Sequence, residues 1–223
     1  MEFHAWFNPY RVTNNPLDER TVEEKLNDLD ANNFARKNPH LVYTFQNKLF
    51  LDPGEPEVIN YAVARVSEVA NKYDVDAIHF DDYFYAAGVD DSLTYKMYGK
   101  DYPTLADFRR ASINKLIESL YNSINDYNIE NNKAVKLGIS PTAIYRCGDG
   151  KVTYDEDGHA ITNGAAMSSY FDQHYESACA DTLLWIQKGW IDYIVPQLYV
   201  DGDQFTIMSS WWDKVTKNEK CLF

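Results

Sequence analysis

The chain has 223 residues, 45% of them hydrophobic, enough for one large core, because the buried fraction of a chain rises with its length. Its 34 acidic against 21 basic residues leave a formal charge of −13. No basic run offers the clustered Lys and Arg that nucleic acid or an anionic membrane needs, which argues against either partner.

Cys147, Cys179 and Cys221 are odd in number and form no C-x-x-C pair, so neither a zinc site nor a disulfide framework is indicated. No apolar run approaches the roughly 20 residues of a membrane span. The opening Met1-Glu2-Phe3-His4-Ala5-Trp6 lacks the charged region and apolar stretch of a signal peptide.

In chain order, 3–7 reads as a buried strand running into the loop Asn8-Pro9-Tyr10-Arg11. Thr21 and Glu24 have capping-box spacing. Val22, Leu26, Leu29 and Phe34 recur at roughly helical intervals, which predicts a helix over 21–34. The stretches 41–45 and 48–51 flank Gln46-Asn47 as in a small β-hairpin, and Asp52-Pro53-Gly54-Glu55-Pro56 breaks the chain. From 57 to 73, Val58, Ile59, Ala62, Val63, Val66, Val69 and Ala70 follow the helical period. A strand over 76–81 leads into a loop rich in aromatics and Asp. Thr104 opens a helix over 104–127 whose buried face is Leu105, Phe108, Leu116, Ile117, Leu120 and Ile124. A strand over 135–140 follows, then a long polar loop, a helix over 169–188 stopped by Gly189, and a strand over 191–199.

Strands alternating with helices are the signature of a parallel sheet with right-handed crossovers. No Ser/Gly/Pro linker divides the chain, so 1–223 reads as a single domain. Side chains alternate along a strand. Ile78 and Phe80 therefore oppose Ala77, His79 and Asp81, and Leu137 and Ile139 oppose Gly138, Ser140 and Thr142. Phe3, Ala5 and Phe7 oppose His4, Trp6 and Asn8, while Ile194 and Pro196 oppose Tyr193, Val195, Gln197 and Tyr199. A doubly wound sheet favours apolar residues on both faces. One apolar face, with polarity growing toward the C-terminal strand ends, instead fits an α/β protein of the (β/α) TIM-barrel type.

The rim of that barrel would carry Asp81 and Asp82, and carboxylates suit glycoside hydrolysis, in which one protonates a leaving oxygen and another attacks or stabilises the anomeric carbon. Asp81 has the inward parity. Asp82, its neighbour, should point elsewhere and orient it, bind a hydroxyl or hold the loop; the bland account of such a pair is a loop cap. Trp6, Tyr10, Tyr83, Tyr85 and Tyr199 supply aromatic faces able to stack on sugar rings, whereas Phe84 reads as packing. Arg11 and Arg146, just past strand ends, suit hydroxyls or anionic groups, and Gln197 needs a polar partner on its inward face. Asn8, His4 and His79 complete the candidate substrate-binding set. His4, His79 and Asp81 lack any H-x-H or H-E-x-x-H spacing, so no metal or other cofactor is expected. The acidic tract 149–159 lacks EF-hand spacing and reads as a solvated loop.

Five blocks carry a resemblance: 4–11, 51–54, 75–85, 137–141 and 189–199, among them His4-Ala5-Trp6-Phe7-Asn8-Pro9-Tyr10-Arg11 and His79-Phe80-Asp81-Asp82-Tyr83-Phe84-Tyr85. Together and in this order they resemble glycosyl-hydrolase-like family 10. The resemblance implies a TIM barrel in bacterial envelope or secreted proteins, with glycosidase action, at least once on peptidoglycan glycan strands stripped of stem peptides. It also implies further barrel strands before His4 and after Tyr199, so an incomplete barrel is expected, about four strands plus a hairpin. Its exposed edges would invite a homo-oligomer. The chitinase-like pattern D-G-x-D-x-D-x-E, aligned from Asp76, places Tyr83 where the catalytic Glu would fall, so that mechanism does not transfer. The expectation is a glycoside hydrolase of a bacterial polysaccharide; the alternative is a non-catalytic glycan-binding or structural fragment.

Overall fold

The computed structural model describes residues 1–86, 88–168 and 171–217. The chain enters β1 (His4–Phe7), then α1 (Val22–Asn27), α2 (Phe34–Lys37) and the antiparallel hairpin of β2 (Val42–Phe45) and β3 (Lys48–Leu51). Helix α3 (Pro56–Lys72) brings it to β4 (Ala77–Phe80), and α4 (Ser92–Tyr98) with the long α5 (Leu105–Asn131) to β5 (Lys136–Ile139). A second hairpin, β6 (Thr153–Tyr154) and β7 (Ala160–Ile161), precedes α6 (His174–Ser177), α7 (Thr182–Gln187), β8 (Tyr193–Ile194) and α8 (Gly202–Thr216). Strands β1, β4, β5 and β8 lie side by side in that order, all parallel.

The sheet has two unlike faces, as the alternation requires. Ile78, Phe80, Leu137, Ile139 and Ile194 are wholly buried in a core shared with Val58, Ala62 and Val66 of α3 and with Ile113, Leu116, Ile117 and Leu120 of α5. Those helical positions recur with the 3.6-residue period that turns one apolar stripe to the sheet. Burial of each such side chain contributes about 1.5–3 kcal/mol. The opposite face is polar. Its register sets Trp6, His79, Gly138 and Tyr193 at one level across the four strands. Helices outside and polar groups inside make this sheet an arc of a (β/α) barrel. Along its β1 side Phe3 and Trp6 are exposed.

The expected elements stand with five corrections. Strand β1 is not buried but alternates exposed and half-buried positions, with Phe3 and Trp6 exposed. The capping box of Thr21 and Glu24 is present, but α1 ends at Asn27 rather than running to 34. Asp30 accepts from the Asn32 N–H (2.7 Å) and Asn33 from the Ala35 N–H (2.9 Å), so short polar side chains take backbone donors from the helical ladder, and α2 starts afresh. The helix over 169–188 is likewise two short ones; Ser169 and Tyr170, where it was to begin, lie outside the described residues, as does Cys221. Cys179 at φ +54° turns the chain between them, and Asp181 caps α7. Gly189, at φ +67°, ends that helix as expected. The strand over 191–199 is regular only at Tyr193–Ile194; beyond it the Val195 and Gln197 N–H groups still donate to the Ile139 (2.8 Å) and Pro141 (2.9 Å) carbonyls, and one further bridge joins Thr142 to Gln197. The polar loop at 149–159 is built around β6 and β7 and leans on α8, where the Tyr154 hydroxyl donates to the Lys214 carbonyl (2.7 Å). Helices α4 and α8 carried no expectation.

Candidate active site

Strand β4 ends at Phe80, so Asp81 and Asp82 stand at the C-terminal mouth of the sheet. Gln197 Nε2 donates to Asp81 Oδ1 and to the Ser140 carbonyl (2.9 Å). The Asp82 backbone N–H donates to the same Asp81 oxygen (3.0 Å), while Ser140 Oγ donates to the Val195 carbonyl (2.8 Å). Donors from its own loop and from the segment after β8 thus converge on one carboxylate.

Asp82 does not diverge as adjacent strand residues do, because strand pairing has already ended. Its side chain shares a hydrogen bond with that of Asp81. Partial burial, followed by the Asp81 charge and then the Asp172 carboxylate, pushes its pKa from 3.8 up to about 6. Asp172 lines a cleft of about 190 Å³ together with Thr142, Phe171, Gln197 and Tyr199.

Below the pair, Tyr193 occupies the inward face. Its hydroxyl lies 2.7 Å from His4 Nδ1 and 3.0 Å from His79 Nδ1. The ring crosses β5 where only glycine fits: a Cβ on Gly138 would sit 1.9 Å from Tyr193 Cζ. Burial holds the His79 imidazole below its ordinary pKa, against the opposing pull of Asp81. His4 Nε2 meets Glu2 at 3.0 Å, and Glu2 also pairs with Lys136 at 3.2 Å.

Of the other candidates, Trp6 and Tyr83 form an exposed edge-to-face pair with centroids 6.4 Å apart, and the Arg11 guanidinium caps the Tyr83 ring at 4.7 Å. Tyr199 is 86% exposed at the cleft. Two expectations are corrected. Tyr10 and Tyr85 are 1% and 5% exposed, so neither offers a face to a sugar; both belong to the buried core, and the Arg109 guanidinium lies 5.2 Å over the Tyr85 ring. Asn8 Oδ1 accepts from the backbone N–H of Arg11 (3.1 Å), so that side of the amide shapes the loop rather than a ligand. Arg146 is engaged by Glu176 (3.2 Å) over the Tyr175 ring (4.8 Å). Phe84 packs between Phe80 and Trp185, as expected. Sequence reasoning missed Tyr193 and Ser140 as members of the site, although their inward parity was visible. It missed Asp172 altogether, because a loop residue has no period to announce it. Among the described residues, no three His, Cys, Asp or Glu side chains are grouped to hold a metal ion, and no helix is long and apolar enough to cross a membrane.

Residues 1–222 match the family described as Glycosyl hydrolase-like 10. Glycosyl hydrolase YngK of Bacillus subtilis is 36% identical over 98% of this chain and 40% of its own length. Glycosyl hydrolase DigH of Escherichia coli K12 is 33% identical over 97% of this chain and 48% of its own. The chain thus spans less than half the length of these relatives. An α-galactosidase from Lactobacillus brevis superposes with a TM-score of 0.38 at 13% identity, over 99% of this chain and 26% of the other. By the extent of the family match and the identity to these two relatives, the chain belongs to the glycosyl hydrolase-like 10 family.

Proposed function

We propose that this chain is the carboxylate-bearing part of a glycosidase that cleaves a bacterial polysaccharide, peptidoglycan glycan strands in the first instance, outside the cell or in its envelope. The observation that carries the reading is the Asp81–Asp82 pair at the mouth of the sheet, in which partial burial lets Asp82 keep its proton to about pH 6. A glycosidic leaving oxygen needs such a donor. In this reading Asp82 is the proton donor and Asp81, held by Gln197, bears the negative charge beside it. Two carboxyls sharing a hydrogen bond lie too close to flank one bond, since retaining enzymes separate theirs by about 5 Å and inverting ones by more. Asp172, which lines the neighbouring cleft beside Gln197 and whose charge reaches Asp82, is the partner within this chain. Trp6, Tyr83 and Tyr199 present the exposed rings for sugar faces. Family membership and the names of the relatives support glycoside hydrolysis, and the resemblance noted in the sequence supports peptidoglycan. The test is mass spectrometry of products from denuded peptidoglycan glycan strands, with the wild-type chain beside Asp81→Asn and Asp82→Asn. New oligosaccharides from the wild type alone are expected. Equal products from all three would remove the pair from the chemistry, and none from any folded chain would favour the glycan-binding alternative.

A further inference from the structure

The polar face below the carboxylates holds a chain of hydrogen bonds whose direction can be worked out. It runs from Glu2 to His4 Nε2 (3.0 Å), from His4 Nδ1 to the Tyr193 hydroxyl (2.7 Å), and from that hydroxyl to His79 Nδ1 (3.0 Å). A carboxylate only accepts, so His4 Nε2 carries a proton and donates it to Glu2. With His4 neutral, its Nδ1 is then a lone pair, and the single Tyr193 proton is spent on it. The Tyr193 oxygen is left to accept, so His79 Nδ1 must be the donor. A neutral imidazole carries one N–H, which leaves His79 Nε2 as a bare acceptor.

We propose that Glu2, His4 and Tyr193 form a directional relay that holds His79 in its Nδ1–H tautomer, presenting Nε2 as a hydrogen-bond acceptor to a hydroxyl group bound beside Asp81. Three features of the fold support it. The Tyr193 ring is held over Gly138, which leaves no room for a Cβ beneath it, so the hydroxyl is placed by packing rather than by the histidines. His79 stacks on that ring with centroids 5.8 Å apart. Among the described residues, His79 Nε2 makes no hydrogen bond of its own. Lys136, paired with Glu2 at 3.2 Å, keeps the start of the relay anionic. Burial of His79 disfavours its charged form and agrees with a neutral ring. Tyr193 is thus a positioning residue that acts through His79. That the hydroxyl belongs to a sugar rests on the glycosidase reading; the tautomer does not.

The tautomer is read directly from the imidazole nitrogen resonances of the ¹⁵N-labelled chain, with His79 assigned by difference from His79→Gln. The spectra are taken at pH 8, because a doubly protonated His4 would turn the relay round. The wild type is expected to show His79 protonated at Nδ1 and bare at Nε2. In Tyr193→Phe, which keeps the ring over Gly138, the N–H is expected to move to Nε2, the tautomer a free imidazole prefers. Glu2→Gln, at an exposed position, removes the fixed acceptor, and His79 is expected to show both tautomers; this variant decides the question should Tyr193→Phe fail to fold. A wild-type His79 that is Nε2–H, or a tautomer unchanged by both variants, would overturn the relay. Because no substrate is added, that failure is distinct from a failure of the glycosidase reading.

Discussion

Replacing Asp82 by Asn tests the electrostatics of the site through the stability of the fold. In the folded chain Asp82 holds its proton to about pH 6, against an ordinary 3.8. Between those values an unfolded chain has already released the proton while the folded one retains it. The folded state therefore binds more protons in that window, and Asp82 makes stability fall as pH rises from 3.8 to about 6 and level off above. Over that span the difference between the two protonation states is about 3 kcal/mol at 1.36 kcal/mol per pKa unit. Asp82 is only half-buried, and halving for solvent screening leaves about 1.5 kcal/mol. Asn at 82 has no proton to release, and the carboxylates remote from it cancel when wild type and variant are compared at each pH. Urea unfolding at pH 3.5 and pH 7 should show Asp82→Asn gaining about 1.5 kcal/mol on the wild type between the two. A difference that does not change with pH, or one of opposite sign, would refute the claim that burial and Asp81 hold the proton on Asp82.

The remaining expectations concern other parts of the same wall. Asp82→Asn should lower turnover of denuded glycan strands by roughly 10²–10⁴-fold, the usual worth of one acid/base group, while leaving binding of those strands in a pull-down intact; unimpaired turnover would remove Asp82 from the chemistry. Gln197→Ala takes a hydrogen bond from the Asp81 carboxylate, an interaction worth about 1.5–3 kcal/mol of stability, so chemical unfolding should show the variant less stable by about that amount; an unchanged midpoint would refute the contact. Gly138→Ala puts a methyl into the Tyr193 ring, and overpacking of that kind should cost about 1–3 kcal/mol in chemical unfolding. His174 is wholly buried between the Thr142 carbonyl (3.0 Å) and the Thr182 hydroxyl (2.8 Å), and burial drives its pKa from 6.5 down to about 3. The unfolded chain takes up that proton first, so stability should be lost as pH falls below 6.5, by about 2 kcal/mol on reaching pH 5. That slope is opposite in sign to the one from Asp82, and His174→Gln should abolish it alone.

What the sequence determined by itself was whatever depends on local period. The alternation 77–81 put His79 and Asp81 on the polar face, and that of 193–197 put Tyr193 and Gln197 there, because a pleated strand turns successive side chains to opposite sides whatever it packs against. The stripe of Val58, Ala62 and Val66 marked the buried face of α3, the capping residues marked the start of α1, and Gly189 marked the end of α7, each for a reason confined to a few neighbours. Only the tertiary structure decided what meets what. Gln197 is 116 positions from Asp81, and Tyr193 is 189 from His4, so their hydrogen bonds exist only once β4, β5 and β8 are in register. Burial was equally out of reach: Tyr10 and Tyr85 follow strand ends like any rim aromatic, yet both are enclosed in the core. The same holds for Asp82, whose proton is kept by partial burial and by neighbouring carboxylates. Its chemistry follows from solvent exclusion, a property of the packed chain and of no segment within it.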